Sequence, residues 1–257
     1  MTRPRHAGPG SQATEPHRHQ AQGRATQMPA SGAWGGRPGL ASLIAGVGLS
    51  VLVLLLGALA KTGPVARLDL RADQHIAAHD RSGALTALAK LATDIAKPET
   101  IGIGLLILLP VVLLLMRRRL DAVKVFCMFA GAFALAEIGK KLINEHRPPA
   151  SLQLVAADSG ASFPSGHTTT AAVLAVALVV IATTFAWRTA ALVLGGLYAV
   201  AVAVSRVYLG DHYPLDVLGG ILCALAAAFV VTGLAALPAL QPHLRRLEAA
   251  PGRPRAD

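Results

Sequence analysis

Phe163-Pro164-Ser165-Gly166-His167 ends a polar loop and opens a long apolar run, and the reading of this junction decides the fold. Proline, serine and glycine together read as a helix start, with Ser165 at the N-cap. The first amides of such a helix have no intrahelical partner and lie at the positive end of its dipole, so they suit an anion, above all a phosphate. His167 falls in the first turn, where an imidazole can exchange a proton with whatever the amides hold. A plain helix cap is the other reading of the same residues. The run behind them, from Gly166 to Ala186, is about the 20 residues needed to cross a bilayer.

Composition extends that reading to the whole chain. Of its 257 residues 53% are hydrophobic and only 15% charged, too apolar a balance for an ordinary soluble domain. Further apolar runs cover Leu40 to Ala60, Ile101 to Met116, Ala122 to about Lys140, Thr189 to about Tyr208 and Pro214 to Leu237. The fold class expected is therefore all-α, a polytopic membrane protein with six transmembrane helices in a bundle, residues 39–237. Pro110 is expected to kink the short second span, and Trp187-Arg188 to form the turn between spans four and five. Leu85, Leu88, Leu91 and Ile95 recur at helical spacing among polar residues, which predicts a surface helix over about 70–97. Residues 1–38 and 238–257 are basic and Pro-containing; both are expected to be cytoplasmic tails, the first disordered.

The net charge of +10 does not point to nucleic acid, because the basic residues are not gathered on one face with aromatics between them. They flank apolar runs instead. With the N-terminus inside, 14 of the 24 Lys and Arg residues fall on the cytoplasmic side, and three of the rest are Lys140, Arg147 and Arg206. That orientation puts the motif-bearing ends of spans three to six together on the outer face. Cys127 and Cys223 both lie in apolar runs and read as inert.

Two more clusters accompany Pro164-Ser165-Gly166-His167. Lys140 precedes Arg147-Pro148 by a six-residue gap, and Ser205-Arg206 is followed by His212 and Asp216. Lys-x6-Arg-Pro, Pro-Ser-Gly-His and Ser-Arg-x5-His-x3-Asp, in that order and without a substitution, resemble the three-part signature of the type 2 phosphatidic acid phosphatase superfamily. That group contains the integral membrane lipid phosphate phosphatases.

The residues themselves suit this chemistry. Lys140, Arg147 and Arg206 can neutralise a phosphate where the dielectric is low, and Ser165 and the amides around Gly166 add fixed donors. Snorkelling at helix ends is the alternative for Lys140 and Arg206. His212 and Asp216 are four apart and can meet on a helix or its lead-in turn. The resemblance implies that His212 attacks phosphorus to form a phosphohistidine and that Asp216 orients it. His167 would then protonate the leaving oxygen and afterwards activate water. Glu137 reads either as a functional carboxylate or as a partner of Lys140 or Lys141; Asp211 reads as a loop or cap residue, and Glu145 and His146 as solvated. No metal-ligand spacing stands out, so neither metal nor cofactor is expected.

The function expected is hydrolysis of a lipid phosphate ester or anhydride at the outer face of a bacterial inner membrane. Undecaprenyl diphosphate is the first candidate substrate, with phosphatidic acid and phosphatidylglycerophosphate as alternatives. A non-catalytic lipid-phosphate binder or transporter is the competing class; His167, His212 and Asp216 together argue against it.

Overall fold

The computed structural model describes residues 37–248, so most of the N-terminal tail and residues 249–257 lie outside the described residues. α1 (Arg37–Ala60), α5 (Arg119–Ile143), α7 (Phe185–Tyr208) and α8 (Pro214–Ala235) are each long and apolar enough to cross a membrane. α6 (Gly166–Ile181) is apolar but has only 16 residues.

The second crossing differs most from expectation. α2 (Gly63–His79) ends before Asp80, and α3 (Gly83–Asp94) starts anew with Ser82 accepting from the Leu85 amide at 3.3 Å. The single surface helix over 70–97 is thus two helices. α3 then runs on, through a wide turn at Pro98–Gly102, into α4 (Ile103–Leu115), and the combined run of 33 residues can cross a bilayer. Leu85, Leu88, Leu91 and Ile95 are an exposed face, as their spacing suggested, while Ala89 and Thr93 on the other face pack against α7. Thr93 Oγ1 lies 3.0 Å from Ser205 Oγ. The helix continues through Pro110; the irregular turn lies at Pro98, which cannot donate to the ladder.

α6 and α7 are joined by residues 182–184. Thr184 caps α7, accepting from Trp187 N at 3.2 Å, so Trp187 and Arg188 belong to the first turn of α7 and not to the connection. After α8 a short amphipathic helix, α9 (Gln241–Glu248), occupies part of what reads in sequence as tail.

Small residues set the packing. Ala171, Ala172, Ala177, Ala224 and Ala228 interleave with Phe129, Met128, Val173 and Val202 where α5, α6, α7 and α8 meet. Large apolar side chains such as Leu115, Leu142 and Leu194 point outward, as a lipid-facing surface requires. α1 lies along α8 and completes the bundle.

Candidate active site

Four helix ends converge at one end of the bundle. α5 delivers Lys140 near its C-terminus, α6 starts at Ser165, α7 ends with Arg206, and α8 starts just after His212. Phe163 wedges the loop before α6 into the bundle. Its fully buried ring fills space left by Gly57 of α1, Gly139 of α5 and Gly219 of α8; a Cβ on Gly57 or Gly219 would lie within 2.8 Å of that ring. Ser165 is then fixed from both sides. Its amide donates to Asp216 O at 3.0 Å, and its Oγ accepts from the Thr168 amide at 3.4 Å. Thr168 Oγ1 also donates to that Oγ, at 3.1 Å, so the Ser165 oxygen serves as the helix cap in this structure.

His212 is buried, with Nδ1 3.2 Å from Asp216 Oδ2. The same oxygen accepts from Ser162 Oγ at 2.5 Å and from Tyr213 N at 2.9 Å. On the other side of the ring, Arg147 Nη1 lies 3.2 Å from Nε2. A carboxylate at one nitrogen and a guanidinium donor at the other fix the tautomer: Nδ1 carries the proton and Nε2 keeps its lone pair. Burial, then Arg147 and Arg206, hold His212 well below its ordinary pKa, so the imidazole is neutral.

Arg147 and Arg206 converge on one carboxylate. Arg147 Nη1 donates to Asp211 Oδ2 at 2.5 Å and to Asp211 O at 3.0 Å, and Arg206 Nη2 donates to the same Oδ2. Arg206 Nη2 also reaches Asp158 Oδ2 at 2.7 Å, and that oxygen lies 3.3 Å from His167 Nδ1. Burial would raise Asp158, yet Arg206, His167 and Arg147 hold it below its usual range. His167 is itself buried, and its Nε2 has no partner among the described residues.

Arg147, Arg206, His167, His212 and Asp216, named from sequence, therefore form one connected group, with Ser165 bonded to the Asp216 backbone. Lys140 stands at its edge. Its Nζ is 3.2 Å from Glu137, the pairing reading of that carboxylate, and 3.6 Å from where a Cβ on Gly166 would sit. Next to them lies a mostly apolar pocket of about 250 Å³ whose walls include Ile103, Phe133, Lys140 and Gly166.

Sequence reading missed three carboxylates. Asp211 and Asp158 are the anionic partners of the arginines, and no motif position announces either. Glu145, expected to be solvated, is buried behind Asp216. Its one sequence signal is closeness to Asn144, which takes the left-handed conformation (φ 48°) and turns the chain inward after α5.

Asp158, Asp211 and His212 bring ligand atoms within 4.8 Å of one another. Guanidinium groups already hold both carboxylates there, and a metal cation would have to bind beside two positive charges. The donors suit an anion better.

A family model described as the PAP2 superfamily matches residues 121–236, which include all three motifs. An undecaprenyl-diphosphatase of Sulfolobus acidocaldarius is 34% identical over 120 residues, covering 44% of this chain and 55% of that protein. Phosphatidylglycerophosphatase B of Bacillus subtilis is 34% identical over 122 residues, covering 46% and 59%. The chain thus spans under two thirds of the length of these curated relatives. Among solved structures, a transmembrane PAP2-type phosphatidylglycerolphosphate phosphatase from Bacillus subtilis superposes with a TM-score of 0.64 at 27% identity, covering 74% of this chain and 94% of that one. LpxE of Aquifex aeolicus shares the fold, with a TM-score of 0.50 at 22% identity and coverage of 66% and 94%. With these relatives and its apolar helices, the chain is a multi-pass membrane protein. The motifs, the matched region and the helical architecture agree in what they liken the chain to: residues 121–236 are similar to the PAP2 superfamily, and the bundle is similar to a PAP2-type phosphatase.

Proposed function

We propose that this protein is a metal-independent membrane lipid phosphatase that works through a phosphohistidine at His212. One observation carries the reading: a buried imidazole whose Nδ1 proton is held by Asp216 and whose Nε2 lies 3.2 Å from Arg147 Nη1 and 3.5 Å from Asp211 Oδ2, the oxygen that Arg147 and Arg206 share. Nε2 attacks phosphorus while the bond to the lipid oxygen breaks. Arg147, Arg206 and the first amides of α6 stabilise the charge on the transferring phosphoryl group. His167, steadied at Nδ1 by Asp158, gives a proton to the leaving oxygen from Nε2. It then takes one from the water that cleaves the phosphohistidine. Asp211 Oδ2 already occupies a place bounded by both arginines and His212, and a phosphate oxygen competes for it.

The catalytic end faces outward in this reading, with both termini cytoplasmic, as the distribution of Lys and Arg supports. The pocket beside Lys140 accommodates the first part of the lipid chain. The proposed substrate is undecaprenyl diphosphate or a close prenyl analogue, hydrolysed to the monophosphate in a bacterial inner membrane; a diphosphate head uses Lys140 as well as the two arginines. The name of the Sulfolobus relative supports this substrate. Phosphatidylglycerophosphate is the second reading, favoured by the Bacillus relatives.

Purified protein in mixed micelles is expected to release phosphate from these lipids with chelator present. Loss of activity in chelator with recovery in magnesium would overturn the mechanism. Measuring kcat/KM for the prenyl diphosphate, phosphatidylglycerophosphate and phosphatidic acid side by side decides the substrate. A glycerolipid preference of about tenfold, or about 1.4 kcal/mol, removes the prenyl assignment.

A further inference from the structure

We propose that Glu145 is a positioning residue that shares a proton with Asp216 through the oxygen His212 does not use, so that Glu145, Asp216 and His212 act as one hydrogen-bonded line. This rests on the phosphatase reading.

Two buried carboxyl groups carry the inference. Asp216 is fully buried and Glu145 is 8% exposed, and the two side chains face each other at hydrogen-bond range. Among the described residues, neither Asp216 Oδ1 nor Glu145 Oε2 has a donor. Two ionised carboxylates cannot face each other in a buried site, so one proton lies between them. Its owner is set by the other bonds. Asp216 Oδ2 is within reach of donors on Ser162, Tyr213 and His212, which stabilise its charged form. Glu145 has no such set and holds the proton, donating it to Asp216.

The surroundings keep it there. Glu145 faces Asp216 of α8, Asp69 of α2 and Lys61 between α1 and α2, and shares a pocket of about 240 Å³ with His146 and Tyr213. Lys61, the cation among these, spends its Nζ on Ile143 O at 2.8 Å. Asp73 stands behind Asp69, and neither of its carboxylate oxygens has a partner among the described residues. Burial, then Asp216 and Asp69, push Glu145 up to about 8, and burial with Asp69 and Asp216 pushes Asp73 likewise to about 8. The bond from Glu145 is therefore present below about pH 8 and lost as pH rises through that value. Above it, a second negative charge repels Asp216 and loosens its hold on His212.

The test compares Glu145→Gln and Glu145→Ala in the intact protein. The amide of Glu145→Gln still donates to Asp216 but cannot ionise. It should keep kcat within about threefold of wild type at mildly acidic pH and lose the alkaline fall that wild type shows. Glu145→Ala should lower kcat by about ten- to hundredfold with KM little changed. An unchanged alkaline fall in Glu145→Gln, or wild-type kcat in Glu145→Ala, overturns the proposal. So does a Glu145→Gln variant as slow as the alanine one, since that would mean an ionised glutamate is needed. A second measurement needs no turnover: the infrared difference between wild type and Glu145→Gln should contain a band of a protonated carboxyl group that titrates away on the alkaline side, beyond the Asp73 band that both proteins share. Absence of that band removes the shared proton even if phosphate is released. The band without any phosphate release removes the phosphatase reading and leaves the pair.

Discussion

His212 meets a carboxylate on one ring nitrogen and a guanidinium on the other, whereas His167 has a carboxylate on Nδ1 and an Nε2 with no partner among the described residues. In the proposed mechanism that difference divides the roles. His212→Ala should abolish turnover and any trapped phosphoenzyme, as quench-flow with labelled substrate would reveal. His167→Ala should slow turnover by about 10²–10⁴-fold, the usual size of general acid–base catalysis. A labelled adduct surviving in the His212 variant would refute the nucleophile. Asp211 permits a second prediction. In the proposed mechanism its carboxylate competes with phosphate for Arg147 and Arg206, so Asp211→Asn should tighten inhibition by vanadate by about tenfold, the worth of one charge-assisted hydrogen bond. Weaker inhibition would mean that Asp211 holds the arginines in place instead of blocking them.

Helices position these side chains by close approach. A Cβ on Gly220 would lie 2.7 Å from Ser165 O, so α8 touches the backbone of the α6 cap directly. Gly220→Val should displace that cap and lower kcat by about 10²-fold, as misplacement by about 1 Å does. Gly196→Val on α7 is the control, because its Cβ would meet nothing within 4 Å. Equal rates in the two variants would show that the cap does not depend on this contact. Local signals in the sequence placed Gly166 at a helix start and Asp216 near one, since Ser165 and Pro214 mark them. They could not mark Asp158, Asp211 or Glu145 as site residues. Their importance arises from partners 48, 64 and 71 positions away, contacts that only the packed bundle creates.

For the whole molecule, hydropathy counted the crossings but not their limits. Mixed composition between Pro64 and Glu99 hid the α2–α3 break, because α3 shows apolar residues to lipid and small or polar ones to α7. The sidedness of the bundle is a separate matter with its own test. Reporter fusions after Arg118 and after Arg188 should read as cytoplasmic, and one near Ser159 as external. An external signal at Arg118 would invert the molecule and change the leaflet to which the proposed site opens.

α6 has a consequence of its own. Its 16 residues rise only about 24 Å, against a hydrocarbon core of about 30 Å, while its neighbours α5 and α7 have 25 and 24 residues. The helix that carries Ser165 and His167 is thus too short to reach both surfaces. Either its N-terminal end lies below the level of the surrounding head groups, or the bilayer thins beside it. On the proposed phosphatase reading, a phosphate then travels inward to react while its hydrocarbon chain stays in lipid, and membrane thickness becomes a variable of the reaction.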